Sequence, residues 1–128
     1  MTLSDTDRLE LQALLMRYTH ILDYGSVDDL DAIWTEDCEF QVDDPPFHMQ
    51  GLDQIKQTLS GTRGAFPHVR HVVSNCYVDA QGEDACVHAY LQIVDARELK
   101  TTVFARYIDR CVRAEQGWRI RSRRCISG

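Results

Sequence analysis

Apolar and polar positions alternate with the period of an α-helix at the start of the chain. Between Asp5 and Asp23, apolar residues recur three or four positions apart, and charged residues occupy the opposite face. Ser4 and Asp7 are spaced as a capping pair, and Gly25 is placed to end the helix in the left-handed conformation. We therefore predict an amphipathic helix whose apolar stripe contains Leu11, Leu14, Leu15, Tyr18, Ile21 and Leu22.

Two shorter helices are predicted after the first. One begins at Ser26, an N-cap residue, and carries apolar contacts as far as Trp34. The other spans Gly51 to Leu59, and we expect Gly61 to Gly64 to be a flexible exit from it.

A short strand separates these two helices. Residues Cys38 to Val42 alternate with period two, and the run Asp43-Asp44-Pro45-Pro46 ends the strand because proline cannot donate to a ladder. A loop containing Phe47 to Met49 is predicted next.

The second half of the chain consists of long strand-like runs. They are rich in β-branched and aromatic residues, and the polar segments between them have the length of hairpin turns. Helices followed by a meander of strands indicate an α+β fold, with three helices packed on one face of a strongly curved, mostly antiparallel sheet. The four runs are Val69 to Val78, Ala85 to Val94, Thr101 to Val112 and Trp118 to Ile126.

Composition limits the partners of the chain. Its 128 residues suffice for one core, so we expect a single domain over residues 1–128, and 44% hydrophobic residues are typical of a globular protein. With 14 basic against 20 acidic residues, the net charge of -6 disfavours nucleic acid as a partner. No apolar run reaches the ~20 residues of a membrane span. The start, Met1 to Arg8, lacks a leader pattern, so we expect a cytoplasmic protein without a membrane partner.

Tyr18, Asp23 and His71 are candidates for catalysis. Tyr18 lies on the apolar stripe, where a tyrosine is more often a core aromatic, whereas Asp23 opposes the helix dipole and therefore needs a partner or a function. Period two places His71 on one face of its strand with Val69, Val73, Asn75 and Tyr77. A lone histidine there is usually a half-buried side chain. Paired with Asp23, it would have a fixed tautomer and the properties of a general base.

Arg124 is a further candidate. Trp118 and Ile120 mark the inner face of the last strand, and period two then directs Arg124 inward. There it could hold a carboxylate, enolate or carbonyl oxygen, although a salt bridge at the rim is the stronger alternative.

Metal, nucleotide and covalent chemistry find no support in the motifs. The histidines lack metal-ligand spacing, and the chain has no P-loop, no G-x-G-x-x-G and no G-x-S-x-G. The five cysteines are scattered singly and lack metal-ligand spacing, so we expect reduced, buried strand residues and no metal site.

Several segments together resemble the SnoaL-like branch of the nuclear transport factor 2-like superfamily. They occur in the family's order and spacing over nearly the whole chain. The segments are Leu15 to Tyr18, Asp23 to Gly25, Trp34 to Cys38, Gly51, His71 to Asn75, Arg106 to Arg110, and Gly117 to Ile120.

This resemblance implies a cone-shaped α+β barrel and a pocket for a small hydrophobic molecule. In relatives such as scytalone dehydratase, bile-acid 7α-dehydratase and lindane dehydrochlorinase, equivalents of Tyr18, Asp23 and His71 line the pocket. The resemblance thus implies a cofactor-independent lyase or isomerase in which Asp23 orients His71 and Tyr18 donates a hydrogen bond to a carbonyl or leaving group. Arg124 resembles a pocket arginine of some relatives. Ketosteroid isomerases, polyketide cyclases and the non-catalytic β-subunits of ring-hydroxylating dioxygenases share the fold and remain alternatives. A homodimer, or a trimer, formed through the outer face of the sheet is the expected assembly.

Overall fold

The computed structural model describes residues 2–128, in which two helices, two strands and a third helix are followed by four long strands. The helices are α1 (Asp5–Tyr24), a 3-10 helix (Val27–Ala32) and α2 (Leu52–Ala65). The strands are β1 (Trp34–Val42), β2 (Phe47–Gln50), β3 (Val69–Gln81), β4 (Asp84–Asp95), β5 (Lys100–Ala114) and β6 (Gly117–Ser127).

The six strands form one mixed sheet in the order β2-β1-β6-β5-β4-β3. All neighbouring strands are antiparallel except β1 and β6, which are parallel. The helices pack on one face of this curved sheet, and the buried residues of α1 and of the strands form the core between them. The predicted α+β class, with helices packed on a mostly antiparallel sheet, is confirmed.

Helix α1 begins with the predicted capping box. The Asp7 amide donates to the Ser4 hydroxyl at 3.0 Å, and the Ser4 amide donates to the Asp7 carboxylate at 2.9 Å. The same carboxylate accepts hydrogen bonds from Arg113 at 2.8 Å and from the Trp118 indole at 3.1 Å. Asp7 therefore joins the helix start to the β5–β6 hairpin.

The charge of the Asp7 carboxylate makes the stability of the fold depend on pH. The Arg113 side chain, followed by the Ser4 amide and the Trp118 indole, holds the pKa of this carboxyl well below its usual range. The ionised form thus stabilises the fold above the ordinary carboxyl pKa, and this stabilisation decreases as the pH falls toward the lowered value. We expect Asp7→Asn to lower the melting temperature at pH 7, and the gap from wild type to narrow between about pH 5 and about pH 2.

Circular dichroism melts across this pH range measure that gap. Asp5→Asn is the matched control, because Asp5 is an exposed carboxylate in the same helical turn. A gap that stays constant from neutral to acid pH would show that the charge of Asp7 does not contribute.

The end of α1 differs from the prediction. Gly25 is extended, with φ -102°, rather than left-handed. Its amide donates to the carbonyls of His20 and Ile21, and a Cβ here would lie 3.0 Å from the Ile21 Cα. The position favours glycine because the backbone approaches closely, not because of a positive φ.

Three predicted boundaries are wrong. Helix α2 continues through Gly61 and Gly64 to Ala65, so the expected flexible exit is helical. The residues Phe47–Gln50 form β2 instead of a loop, because they pair with β1 and bury Met49. The second helix is of the 3-10 type and ends before Trp34, which begins β1.

Two β-bulges change which side chains face the core. In β3 the register shifts between Ser74 and Tyr77, and Asn75 has φ 52°. Tyr77 therefore lies on the outer face, whereas the sequence predicts it on the same face as His71. In β6, Arg110 opposes Ser122 and Cys111 opposes Ile120, which leaves Arg121 as the extra residue. After each bulge, the residues that an unbroken period-two pattern would place on the inner face point outward, and the others point inward.

The five cysteines lie on five different strands. Each is a free thiol, as the sequence predicts. Cys38, Cys86 and Cys111 are buried as expected, whereas Cys76 and Cys125 are only half-buried. Among the described residues, no helix is both long enough and apolar enough to cross a membrane. The cytoplasmic location stays a prediction.

Candidate active site

A cleft of about 730 Å³ opens between the helices and the edge of the sheet. The end of α1, the start of the 3-10 helix, the second half of α2 and the first residues of β3 surround it. Its apolar lining consists of Leu22, Val27, Leu59, Phe66, Pro67 and Val69. The ionisable groups of the lining are Asp23, Arg63, Arg70 and His71.

Asp23 and His71 form the predicted pair in the wall of this cleft. The Asp23 carboxylate lies 2.7 Å from the His71 Nδ1 and also accepts the His71 backbone amide at 2.9 Å. Strand β3 is at the edge of the sheet, so this amide needs a partner from outside the ladder. Both side chains are mostly buried, with 8% of Asp23 and 17% of His71 exposed.

Two contacts from one carboxylate fix the imidazole in position. Because Asp23 occupies Nδ1 as an acceptor, the neutral ring carries its proton there, and Nε2 keeps its lone pair. None of the hydrogen bonds among the described residues uses Nε2 of His71. The two donors from His71 also compensate the placement of a carboxylate at the negative end of α1.

Tyr18 does not lie in this cleft. Its side chain is 1% exposed and packs edge-on against the rings of Trp34 and Tyr107. Burial raises its pKa to about 12. The structure therefore brings together Asp23 and His71 of the predicted set and places Tyr18 in the core.

The predicted inward orientation of Arg124 is wrong, whereas the alternative, a salt bridge to an acidic residue of the chain, is what the structure shows. Arg124 is exposed on the outer face, where its guanidinium binds Asp43 at 2.9 Å. The bulge at Arg121 exchanges the two faces of β6, so the neighbouring Arg123 points inward instead. Trp118 and Ile120 lie before the bulge and do not predict the orientation of residues after it.

Arg123 is the charged residue that the sequence interpretation missed. Its guanidinium makes two hydrogen bonds to Asp109, at 2.7 and 2.8 Å, and neither side chain is exposed. Burial opposes its charge, but Asp109 outweighs this effect and raises the pKa of Arg123. The sequence signal for such a cation is Asp109. It alternates with the apolar Tyr107 and Cys111, so it lies on the buried face of its strand and needs a positively charged partner. The rings around the guanidinium, at 3.7 to 5.5 Å, belong to Tyr107, Tyr18, Trp34 and Phe40.

Arg63 and Arg70 are cleft residues that the sequence interpretation also missed. No signal indicated Arg63, because the helix that carries it was predicted to end at Leu59. As for metals, residues 2–128 contain no group of three or more His, Cys, Asp or Glu side chains placed to hold an ion. The absence of a cofactor stays a prediction.

Comparison with known families assigns the fold. Residues 4–124 match the model of the SnoaL-like domain. The chain belongs to the SnoaL-like family. This SnoaL-like chain is 34% identical to an uncharacterized protein of Mycobacterium tuberculosis, over 90% of its own length and 81% of that protein.

Solved structures share the fold of this SnoaL-like chain. A protein of unknown function with a cystatin-like fold from Nostoc punctiforme has a TM-score of 0.89 at 22% identity, covering 100% of this chain and 96% of that one. A candidate scytalone dehydratase of Novosphingobium aromaticivorans has a TM-score of 0.76 at 24% identity, with coverages of 92% and 81%. The β-subunit of a candidate aromatic-ring-hydroxylating dioxygenase from the same organism has a TM-score of 0.76 at 18% identity, with coverages of 95% and 89%. The predicted resemblance is therefore confirmed, and these likenesses show the fold alone.

Proposed function

We propose that this SnoaL-like protein is a cofactor-independent lyase or isomerase of a small, hydrophobic, cyclic molecule. His71 is the general base, and Asp23 is its positioning residue. The observation that carries the proposal is the double contact of one carboxylate with the Nδ1 and the backbone amide of His71. The candidate scytalone dehydratase that shares the fold is consistent with this reaction class.

The proposed reaction begins with proton transfer to His71. The Nε2 lone pair takes a proton from a carbon next to a carbonyl or a leaving group, and the imidazolium that forms is stabilised by Asp23. The bound molecule then loses a leaving group from the neighbouring carbon, or regains the proton elsewhere. The apolar lining suits a hydrophobic ring, and partial exclusion of water strengthens the charge interactions of the pair.

Deuterium exchange tests proton abstraction without knowledge of the natural substrate. A panel of cyclic ketones is incubated with the protein in D₂O, and proton NMR follows the signal next to the carbonyl. We expect wild type to accelerate the exchange of at least one ketone. In His71→Gln the rate of the protein-catalysed exchange should be lower by about 10²–10⁴-fold.

The control for this experiment is His20→Gln. His20 is exposed on α1 and does not line the cleft, so its replacement leaves exchange unchanged. If His71→Gln exchanges as fast as wild type, or if wild type accelerates none of the panel, the proposed reaction is wrong.

The outer face of the sheet favours a second candidate function, that of an assembly subunit. Four large apolar side chains on this face are 40% to 55% exposed: Val72, Tyr77, Tyr90 and Phe104. Arg106 and Asp79 add charges of both signs to the same face, which suits a self-complementary contact between two copies. We propose a homodimer through this face, whether or not the cleft is catalytic.

Light scattering after size exclusion measures the assembly. We expect a dimer for wild type and a monomer for Phe104→Glu, because the carboxylate would be buried without a partner. Leu9→Glu is the control, since Leu9 is 68% exposed on α1, away from this face. A wild-type monomer at all concentrations would rule out the homodimer and would favour a different protein as the occupant.

A further inference from the structure

We infer that the cleft binds an anionic ligand, a cyclic molecule whose carboxylate is held by Arg63 and Arg70. Both arginines line the cleft, yet neither takes part in a salt bridge among the described residues. The chain has 20 acidic against 14 basic residues, so such cations have many potential partners. Two guanidinium groups line the same cleft, and neither is paired with a carboxylate of the described residues. We therefore expect them to bind a carboxylate from outside the chain.

Protein contacts hold both guanidinium groups in place. An Nη1 of Arg63 donates to the Gly25 carbonyl. The Nε of Arg70 donates to the Tyr24 hydroxyl at 2.8 Å, and its guanidinium lies over the Tyr24 ring at 4.8 Å from the centroid. Its Nη1 donates to the Pro67 and Val69 carbonyls at 3.1 and 2.8 Å.

These contacts leave donors unused. The hydrogen bonds of the described residues include neither Nε nor Nη2 of Arg63, and they do not include Nη2 of Arg70. Arginine side chains with fixed positions and remaining N–H groups lose little further freedom on binding a carboxylate.

The charge of the lining favours an anion. Asp23 is the acidic residue of the lining, and it is engaged with His71. Apart from the Asp23–His71 pair, the only charged side chains that the described residues contribute to the lining are the two arginines. They make the electrostatic potential at the cleft positive, although the protein has a net charge of -6. The conclusion that this anion is a substrate rests on the proposed function, whereas its binding does not.

Titration calorimetry with 2-naphthoate and 2-naphthamide tests the inference, since the two probes share a ring system and differ in charge. We expect naphthoate to bind wild type about tenfold more tightly, a difference of ~1.4 kcal/mol. Arg63→Gln and Arg70→Gln should each remove most of this preference and leave amide binding unchanged. The Arg→Lys variants should retain part of the preference, which also weakens with added salt.

Arg8→Gln is the matched control, because Arg8 also donates to a backbone carbonyl, that of Val78, and is outside the salt bridges of the described residues, but it lies near the start of α1, away from the cleft. Equal affinity for both probes, binding of neither at millimolar concentration, or a preference that survives both glutamine variants would overturn the inference. Repeating the titration in His71→Gln separates it from the proposed function. A preserved naphthoate preference, with no ketone exchange by wild type, would uphold the anion site and reject the catalyst.

Discussion

Asp23→Asn is expected to lower turnover by about 10²–10⁴-fold while the fold is retained. The asparagine side-chain oxygen can still accept the backbone amide of His71, which lies 2.9 Å from the Asp23 carboxylate. The amide NH₂ then faces Nδ1, which must become the acceptor, so the ring proton moves to Nε2. A ring in that tautomer has no lone pair on Nε2 and cannot take the substrate proton there.

Two measurements distinguish this effect from a structural one. Long-range ¹⁵N–¹H NMR should show the neutral His71 proton on Nδ1 in wild type and on Nε2 in Asp23→Asn. Ketone exchange should fall in parallel, while the thermal midpoint changes little. Asp53→Asn serves as the control because Asp53 is exposed in the first turn of α2, outside the cleft. Unchanged exchange in a variant with the switched tautomer would show that His71 is not the base.

The largest loss of stability is expected from Arg123→Met. The guanidinium is fully buried, binds Asp109 through two hydrogen bonds and is surrounded by aromatic rings. Its removal leaves the Asp109 carboxylate buried without a partner, which costs roughly 3–5 kcal/mol of the free energy of unfolding. Urea denaturation followed by tryptophan fluorescence measures this change.

A double variant determines what the pair itself contributes. Arg123→Met with Asp109→Leu replaces both charges by apolar side chains, so we expect it to recover most of the lost stability. Arg124→Met is the control, since the neighbouring Arg124 binds Asp43 at the surface and its loss should cost at most about 1 kcal/mol. A larger loss for Arg124→Met than for Arg123→Met would contradict the assignment of the two faces of β6.

The helix and strand types were largely predictable because the periodicity of the sequence is strong. The apolar stripe of α1 and the β-branched runs of β3 to β6 reflect burial of one face, which periodicity reports directly. Strand β2 was not predictable, because Phe47–Gln50 is short and its pairing with β1 depends on distant contacts. The glycines of α2 also misled the prediction, since each costs the helix only about 0.5–1 kcal/mol relative to alanine.

The candidate site was predictable in part. Asp23 and His71 could be paired because the carboxylate at the negative end of a helix needs a partner, and β3 supplies one. The inward position of Arg123 could not be inferred, because a single extra residue at the Arg121 bulge reverses the alternation. Tyr18 lies on the apolar face of α1 as predicted, but its side chain is buried in the core and does not line the cleft.

The lining of the cleft comes from one continuous part of the chain. All of its residues lie between Leu22 and His71, whereas the hairpins of β4 to β6 contribute none of them. Ligand preference and the long hairpins are therefore encoded in separate stretches of the gene. A chimera that receives residues 22–71 from a relative would display the relative's cleft on the hairpins of this chain.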